Sequence, residues 1–227
     1  MTAEPNVSKN PAIHRGDPVT VDRYSGLARL NHWITAVGLI LLALSGLALF
    51  HPAFFFLTVL FGGGQMARFL HPWIGVITAV SFAGLFLRFW RYNLWRGDDS
   101  RWMGRLSKVL AGDEEGVPEV GRYNAGQKVY FWVMSLCIAV LFFSGLVIWM
   151  EYFADSFTIE QRRVGVLVHS TVAILAICTW IVHVYAAIWV RGTISAMTRG
   201  NVTGGWAWRH HRKWLRDLAS GKPSDSE

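Results

Sequence analysis

Four long apolar segments alternate with polar connections along the chain. They cover approximately residues 32–50, 72–90, 129–150 and 164–190. Each is close to the roughly 20 residues that an α-helix needs to cross the hydrocarbon core of a bilayer. The pattern predicts an all-α membrane protein in which residues 23–192 form an up-down-up-down bundle of four transmembrane helices. Residues 1–22 and 193–227 are predicted to be cytoplasmic tails, and no internal repeat is evident.

Composition and charge support a membrane location and give the orientation. Hydrophobic residues make up 52% of the chain and charged residues 16%, whereas about a quarter of a soluble domain is charged. Lysine and arginine concentrate in residues 88–128 and in the two tails. The positive-inside rule then places both termini and the middle loop on the cytoplasmic side of a bacterial inner membrane. Because the charges flank the spans, we expect contact with anionic lipid such as cardiolipin and no nucleic-acid partner.

Four of the eight histidines lie within or at the ends of the predicted spans. His169 and His183 share the fourth span, and their spacing is close to four helical turns, so both point the same way about 21 Å apart. His71 begins the second span at the outer depth of His169. His32 begins the first span at the inner depth of His183. Two such pairs of neutral imidazoles, one above the other, would suit two b-type haems.

The neighbours of these histidines favour the same interpretation. A flat macrocycle against a helix needs small residues one turn before and after its ligand. All eight such positions are small, namely Ala28, Ala36, Ala67, Gly75, Gly165, Ala173, Thr179 and Ala187. Small residues also favour helix packing in membranes, which weakens this argument. A proton-coupled transporter with a histidine relay and a haem-free membrane anchor are the alternatives, and neither would require this pairing.

The tails and the start of the second helix contain further features that allow predictions. His14, His210 and His211 lie in polar tails and are expected to be solvated. Pro72 is expected at the first position of the second helix, where a missing N–H costs least. The run WAWRHHRKW in the C-terminal tail suits the inner headgroup layer or a partner surface.

Several runs of residues together resemble one known family. They are NHW around His32, FGGGQMARFLHPWIG around His71, VGRYNAGQK before the third span, SGLVIW near its end and AAIWVRGTISAM at the end of the fourth. From about residue 23 to 217, the chain resembles the membrane cytochrome b556 (gamma) subunit of respiratory formate dehydrogenase. Each run alone would be only modestly specific.

The resemblance implies a di-haem electron-transfer subunit that works only within a formate:quinone oxidoreductase. The expected partners are a molybdenum or tungsten catalytic alpha subunit and an iron–sulfur beta subunit, in a trimer of heterotrimers. By the motif match, the outer haem takes His71 and His169, and the inner haem takes His32 and His183. Electrons would enter from the outer side and reduce a quinone, menaquinone or ubiquinone, near the cytoplasm.

The resemblance also implies a quinone site beside the inner haem. In the family this site uses the histidine that matches His183 and the loop that matches residues 123–127. Asn124 and Gln127 could hydrogen-bond a quinone carbonyl, and Gly126 would allow close approach. A plain turn before the third helix is the other interpretation of this loop. For the whole chain, the nearest alternative is the cytochrome b subunit of a nickel–iron hydrogenase or a sulfur-compound reductase, with the same quinone-reducing role.

Overall fold

A computed structural model describes residues 10–112 and 116–221 of the chain. Its α-helices, in chain order, are α1 (Gly26–Phe50), α2 (Gly64–Phe89), α3 (Gly97–Met103), α4 (Leu106–Leu110), α5 (Ala125–Ile148), α6 (Met150–Phe153), α7 (Ile159–Trp189), α8 (Thr193–Thr198), α9 (Gly204–His210) and α10 (Arg212–Ala219). Its strands are β1 (Ile13–His14), β2 (Thr20–Asp22) and β3 (Asn201–Thr203). Short 3₁₀ helices occupy Pro52–Phe61, Trp90–Asn93 and Ala154–Ser156.

The four long helices α1, α2, α5 and α7 are each long and apolar enough to cross a membrane. The predicted all-α, four-span membrane fold is therefore confirmed. Large apolar side chains lie exposed along these helices, among them Ile77, Leu136 and Val182. A lipid environment accounts for such exposure, because hydrocarbon chains solvate these side chains and the helices satisfy their own backbone hydrogen bonds.

The second long helix begins earlier than the apolar pattern indicates. The prediction that Pro72 would be its first residue is wrong, because α2 begins at Gly64 and Pro72 lies inside it. The chain turns at Gly62 and Gly63, whose φ angles of 83° and 101° end the preceding 3₁₀ helix, and it becomes helical immediately afterwards. An internal proline removes one backbone donor, which transmembrane helices tolerate when neighbouring groups satisfy the freed carbonyl.

The chain divides into two compact units. The bundle unit comprises Leu30–Leu87 and Val133–Tyr185, and it contains most of the four long helices. The terminal unit comprises the described parts of Met1–Arg29, Arg88–Trp132 and Ala186–Glu227. Each unit has its own set of stabilising contacts.

In the bundle unit, polar side chains and a glycine join α1 to α2. Ser81 Oγ donates to Asn31 Oδ1 at 2.5 Å and lies 2.9 Å from Thr35 Oγ1. A Cβ atom at Gly38 would overlap Thr78 Oγ1, so the backbone of α1 approaches α2 where α1 has no side chain. Small residues and interhelical hydrogen bonds are the contacts that join helices in membranes, where lipid competes for apolar surfaces.

The terminal unit contains a small antiparallel sheet in the order β1-β2-β3, which the sequence pattern did not predict. Val21 on β2 is paired with Val202 on β3, and both side chains are fully buried. Trp206 on α9 and Trp214 on α10 complete this hydrophobic core. The aromatic tail run therefore contributes mostly to a packed core, although Trp208 stays exposed.

Two basic side chains are buried in the terminal unit beside this core. Arg23 Nη2 donates to the Arg122 carbonyl at 2.7 Å and lies 3.4 Å from His211 Nε2. The other imidazole nitrogen of His211, Nδ1, donates to the Gly121 carbonyl at 2.7 Å. The prediction that His211 would be solvated is wrong, since it is 1% exposed, whereas His14 is exposed as expected.

Burial and the Arg23 charge both disfavour a protonated His211. Burial lowers the pKa of His211 well below its ordinary value, and the nearby Arg23 guanidinium lowers that pKa further. The imidazole is therefore neutral, and this agrees with a ring that donates through Nδ1 and accepts through Nε2.

Candidate functional site

The bundle unit brings together both of the predicted histidine pairs. The imidazole centroids of His71 on α2 and His169 on α7 lie 6.3 Å apart, with an angle of 70° between the ring planes. The centroids of His32 on α1 and His183 on α7 lie 6.5 Å apart, with an angle of 48°. Each pair thus joins two different helices, as their depths along the helices predict.

These distances fit one metal ion between the two rings of each pair. Metal–imidazole bonds in proteins are about 2 Å long, so two imidazole nitrogens on opposite sides of one ion lie about 4 Å apart. Adding the distance from each nitrogen to the centre of its ring gives a centroid separation of about 6 Å. Two imidazoles are the axial ligand set of a haem iron, whose other four ligands come from the macrocycle.

The outer pair has a second layer of contacts that orients its rings. Ser45 Oγ on α1 lies 2.7 Å from His71 Nδ1, and Ser144 Oγ on α5 lies 3.0 Å from His169 Nδ1. Since Nδ1 of each ring is held by a hydroxyl, Nε2 remains for a metal. A protein partner on the second nitrogen is a common feature of histidines that bind metals.

Neither serine was predicted from the sequence, although a weak signal was present. The tripeptide SGL occurs at residues 25–27, 45–47 and 144–146. The second and third copies lie near the ends of the first and third spans, and the next long helix after each carries an outer histidine. The first copy lies at the start of α1, so the tripeptide alone does not identify a histidine contact.

The inner pair is held differently. Nδ1 of His32 is buried and has no hydrogen-bond partner among residues 10–112 and 116–221. The two pairs thus share their spacing but differ in the contacts of at least one ligand.

The small residues next to the ligands do not all have the same role. A Cβ atom at Gly75 would meet only Leu42 Cδ2, at 3.9 Å, so this position leaves space beside His71. A Cβ atom at Gly165 would instead approach Ile148 Cγ2 at 3.0 Å and Val147 Cγ1 at 3.1 Å. Gly165 therefore allows α7 to pack against α5, and its small size is explained without a macrocycle.

The predicted quinone-binding residues fall in both units. His183 belongs to the bundle unit, whereas Asn124, Gly126 and Gln127 belong to the terminal unit. Asn124 Oδ1 accepts the Gln127 N–H at 2.8 Å, and Gln127 Oε1 accepts the Asn124 N–H at 2.9 Å. This reciprocal arrangement is a capping box at the start of α5. Both side-chain oxygens are therefore engaged, and each residue keeps an amide nitrogen as a donor for another group.

A cavity lies next to this cap in the terminal unit. It is lined by aromatic rings, by charged side chains of both signs and by the loop before α5, including Tyr92, Trp102, Gly121, Tyr123, Asn124 and Lys128. Burial raises the pKa of Tyr123, whose hydroxyl oxygen lies 3.1 Å from that of Tyr24, so the phenol stays protonated and can donate.

Comparisons with known proteins identify relatives that match most of the chain. The chain is 43% identical to the cytochrome b556(fdo) subunit of formate dehydrogenase from Escherichia coli strain K12 over 199 residues, which cover 88% of this chain and 93% of that protein. It is 36% identical to the cytochrome b556 subunit of formate dehydrogenase from Haemophilus influenzae over 210 residues, covering 92% and 88%. It is 39% identical to the nitrate-inducible cytochrome b556(Fdn) subunit of Escherichia coli strain K12 over 190 residues, covering 84% and 88%.

The sequence profile of one protein family also matches most of the chain. Prokaryotic cytochrome b561 proteins match residues 23–200, a range that contains all four paired histidines. The match begins close to the end of the N-terminal tail predicted from the sequence. The chain therefore belongs to the prokaryotic cytochrome b561 family, whose members are membrane cytochromes with haem b.

Proposed function

We propose that the chain is the membrane cytochrome b subunit of a formate dehydrogenase and that it binds two b-type haems. The observation that carries this proposal is the pair of imidazole separations, 6.3 Å and 6.5 Å, each suited to one axially ligated iron. The three relatives are all cytochrome b556 subunits of formate dehydrogenase, which favours this donor over a hydrogenase or a sulfur-compound reductase.

In the proposed complex, another subunit oxidises formate, and quinone is reduced at this chain. A molybdenum or tungsten subunit converts formate to carbon dioxide, releasing one proton and two electrons. An iron–sulfur subunit passes the electrons on, and quinone takes up both electrons and two protons from the cytoplasm to become quinol. When bound, the haems supply the one-electron relay between the iron–sulfur centres and the quinone.

The two histidine pairs divide the membrane crossing into steps. His71 and His169 hold the outer haem, and His32 and His183 hold the inner haem. The rise of α7 between its two ligands is about 21 Å, so electrons travel inward while protons are taken from the inner side. Charge is thereby separated without a proton pump, and the basic cytoplasmic connections fix the orientation.

The quinone contacts follow from the family resemblance and from the donors that remain on the loop. In the terminal unit, the amide nitrogens of Asn124 and Gln127 would donate to a quinone carbonyl, because their oxygens are used by the cap. A Cβ atom at Gly126 would be in van der Waals contact with Asn124 Oδ1 at 3.4 Å and Trp102 at 3.6 Å, so glycine leaves this space beside the cap open. In the bundle unit, His183 is the residue that the family associates with the quinone.

Purification of the chain with its partners tests the proposed donor. We expect formate to reduce the b-type haem absorbance of the purified complex, and a quinone analogue to reoxidise it. Formate that reduces the iron–sulfur centres but leaves the haems oxidised would contradict the proposed path. Hydrogen or a sulfur compound as the effective reductant would establish the alternative donor.

Variants of the inner ligands test the order of the path. We expect His32→Ala and His183→Ala to abolish quinone reduction while the oxidation of formate by an artificial acceptor continues. His51→Asn is the matched control, because His51 also lies at a helix end but belongs to neither pair; its Nδ1 accepts from the Ala53 N–H as an N-cap. Quinone reduction that survives both inner substitutions would exclude the proposed path.

A further inference from the structure

The outer histidines are held by two copies of one structural motif, although they lie on different helices. On α1, Ser45 contacts His71 of the next long helix, α2, and on α5, Ser144 contacts His169 of the next long helix, α7. The sequence separations are 26 and 25 residues. Each serine is followed by a glycine, so the unit that repeats is a serine–glycine pair facing an outer imidazole.

The direction of each hydrogen bond is fixed by a second bond of the same hydroxyl. Ser45 Oγ donates to the Leu41 carbonyl at 2.7 Å, and Ser144 Oγ donates to the Val140 carbonyl at 2.6 Å. A hydroxyl has one proton, and each serine uses it on the carbonyl one turn earlier. The serine oxygen must therefore accept the Nδ1–H of the imidazole, which leaves the lone pair of Nε2 for the iron.

The glycines keep each ring in place against the helix. A Cβ atom at Gly46 would lie 3.4 Å from His71 Cε1, and a Cβ atom at Gly145 would lie 3.5 Å from His169 Cε1. The rings thus lie directly over the backbone of the neighbouring helix. The hydrogen bond to the hydroxyl fixes the rotation of the imidazole, and the ring packs over the glycine.

His32 of the inner pair provides the contrast. Its Nδ1 is buried, and no described residue hydrogen-bonds to it. An acceptor on the second nitrogen raises the basicity of a metal-bound imidazole. A more basic ligand stabilises the ferric ion more than the ferrous ion, because the ferric ion has the higher charge. Second-layer hydrogen bonding is accordingly one of the means by which a protein sets a haem potential.

We propose that Ser45 and Ser144 are positioning residues for the outer haem, which fix the tautomer of His71 and His169 and hold the reduction potential of that haem down. This inference rests on the proposed haem-binding function and adds a role for two residues outside the ligand set. A lower potential at the outer haem favours electron transfer inward, in the direction that the proposed function requires.

The test is a potentiometric titration of the haem absorbance in the purified complex carrying Ser45→Ala or Ser144→Ala. We expect both haems to be retained and one of the two titration steps to move to a higher potential. If loss of the serine acceptor changes the ratio of ferric to ferrous affinity by about tenfold, the potential of this one-electron couple shifts by about 59 mV. The low-spin ferric electron paramagnetic resonance signal of the same haem should change with it, because the ring is no longer fixed.

Ser170→Ala is the matched control. Ser170 follows the ligand His169 on α7 and makes the same bond to its own helix, donating to the Val166 carbonyl at 2.9 Å. Removal of the Ser170 hydroxyl should leave the potentials of both titration steps unchanged. If an alanine variant loses the outer haem, the threonine variant at the same position tests the role of the hydroxyl, because threonine retains it. Haem retention at the parent potential in that variant supports the inference, and haem loss there contradicts it.

The outcomes separate this inference from the proposed function. A parent complex without haem, or with a single titration step, would contradict the proposed di-haem function itself. A parent complex with two haems, whose potentials do not move in either alanine variant, would overturn only the role assigned to the serines.

Discussion

Lys128 Nζ lies 2.7 Å from Asp99 Oδ2, and only 7% and 9% of the two side chains are exposed. The same carboxylate oxygen accepts the Arg96 backbone N–H at 2.7 Å, and Lys128 also donates to the Leu94 carbonyl at 3.1 Å. This buried ion pair fastens the first turn of α5 to α3 within the terminal unit. Gly126 and Gln127 of the proposed quinone contacts lie in this same turn, and Asn124 caps it.

Removal of one partner of this ion pair should destabilise the terminal unit. We expect Asp99→Ala to lower the free energy of unfolding by about 3–5 kcal/mol, because the Lys128 ammonium would stay buried without its counter-charge. Asp98→Ala is the matched control, since Asp98 is more exposed and pairs with Arg101 and Lys213 at the surface. Its cost should be less than about 1 kcal/mol. Equal losses in denaturant titrations of the two variants would contradict the assignment.

The buried imidazole of His211 predicts a loss of stability in acid. Burial lowers its pKa in the folded chain well below the ordinary value of 6.5, so the unfolded chain binds more protons as the pH falls. The contribution of neutral His211 is therefore fully present above about pH 6.5 and is lost as the pH falls from there toward the lowered pKa.

Replacement of this histidine should flatten the pH dependence. We expect the unfolding free energy of His211→Asn, followed from pH 7.5 downward to about pH 5, to change less with pH than that of the parent chain. If the unfolding free energy of the His211→Asn variant depends on pH as strongly as that of the parent chain, this imidazole is not the group responsible.

The double role of Asn124 can be separated by one conservative substitution. Asn124→Asp keeps the oxygen that caps α5 but removes the amide donor proposed for the quinone. We expect the stability of this variant to match that of the parent, while the KM for quinone rises. Asn124→Ala should raise the KM for quinone and also lower stability, by about 1 kcal/mol for the lost cap. An unchanged KM in the aspartate variant would leave Asn124 with the capping role alone.

Two glycines in the bundle unit should respond differently to an added methyl group. Gly38→Ala places Cβ on Thr78 Oγ1, and we expect overpacking to cost about 1–3 kcal/mol. Gly75→Ala has space for Cβ, since the nearest atom is a methyl carbon of Leu42 at 3.9 Å, so the stability of the haem-free chain should not change. If the macrocycle uses the space beside His71, the Gly75→Ala variant should nevertheless retain less haem. Equal haem content in the parent and the Gly75→Ala variant would contradict that use of the space.

The histidine pairs were predictable because they depend on helix geometry alone. The spacing of His169 and His183 along one helix fixes their direction and depth, and the positions of His32 and His71 at span ends supply their partners. The serine contacts depend also on how each helix is rotated toward its neighbour, which the apolar pattern of a helix surrounded by lipid does not determine. The SGL tripeptide at residues 45–47 and 144–146 was their only sequence signal, and a third copy at residues 25–27 makes that signal weak.

The terminal unit was harder to predict because its contacts join distant parts of the chain. His211 is buried by Arg23, which is 188 residues away, and by the Gly121 carbonyl. Strands β2 and β3 have three residues each and pair residues 20–22 with residues 201–203. Strands this short show no alternating pattern, and a basic, aromatic tail is typical of a membrane surface as well as of such a core.

The haem content of the purified chain tests the central claim most directly. The account predicts a b-type difference spectrum, reduced minus oxidised, with about two haems per chain. His71→Ala and His32→Ala should each remove one haem, the outer and the inner respectively, whereas His51→Asn should keep both. A chain without haem, or one whose haem content is the same after either substitution in the pairs, would contradict the assignment of the two pairs as haem ligands.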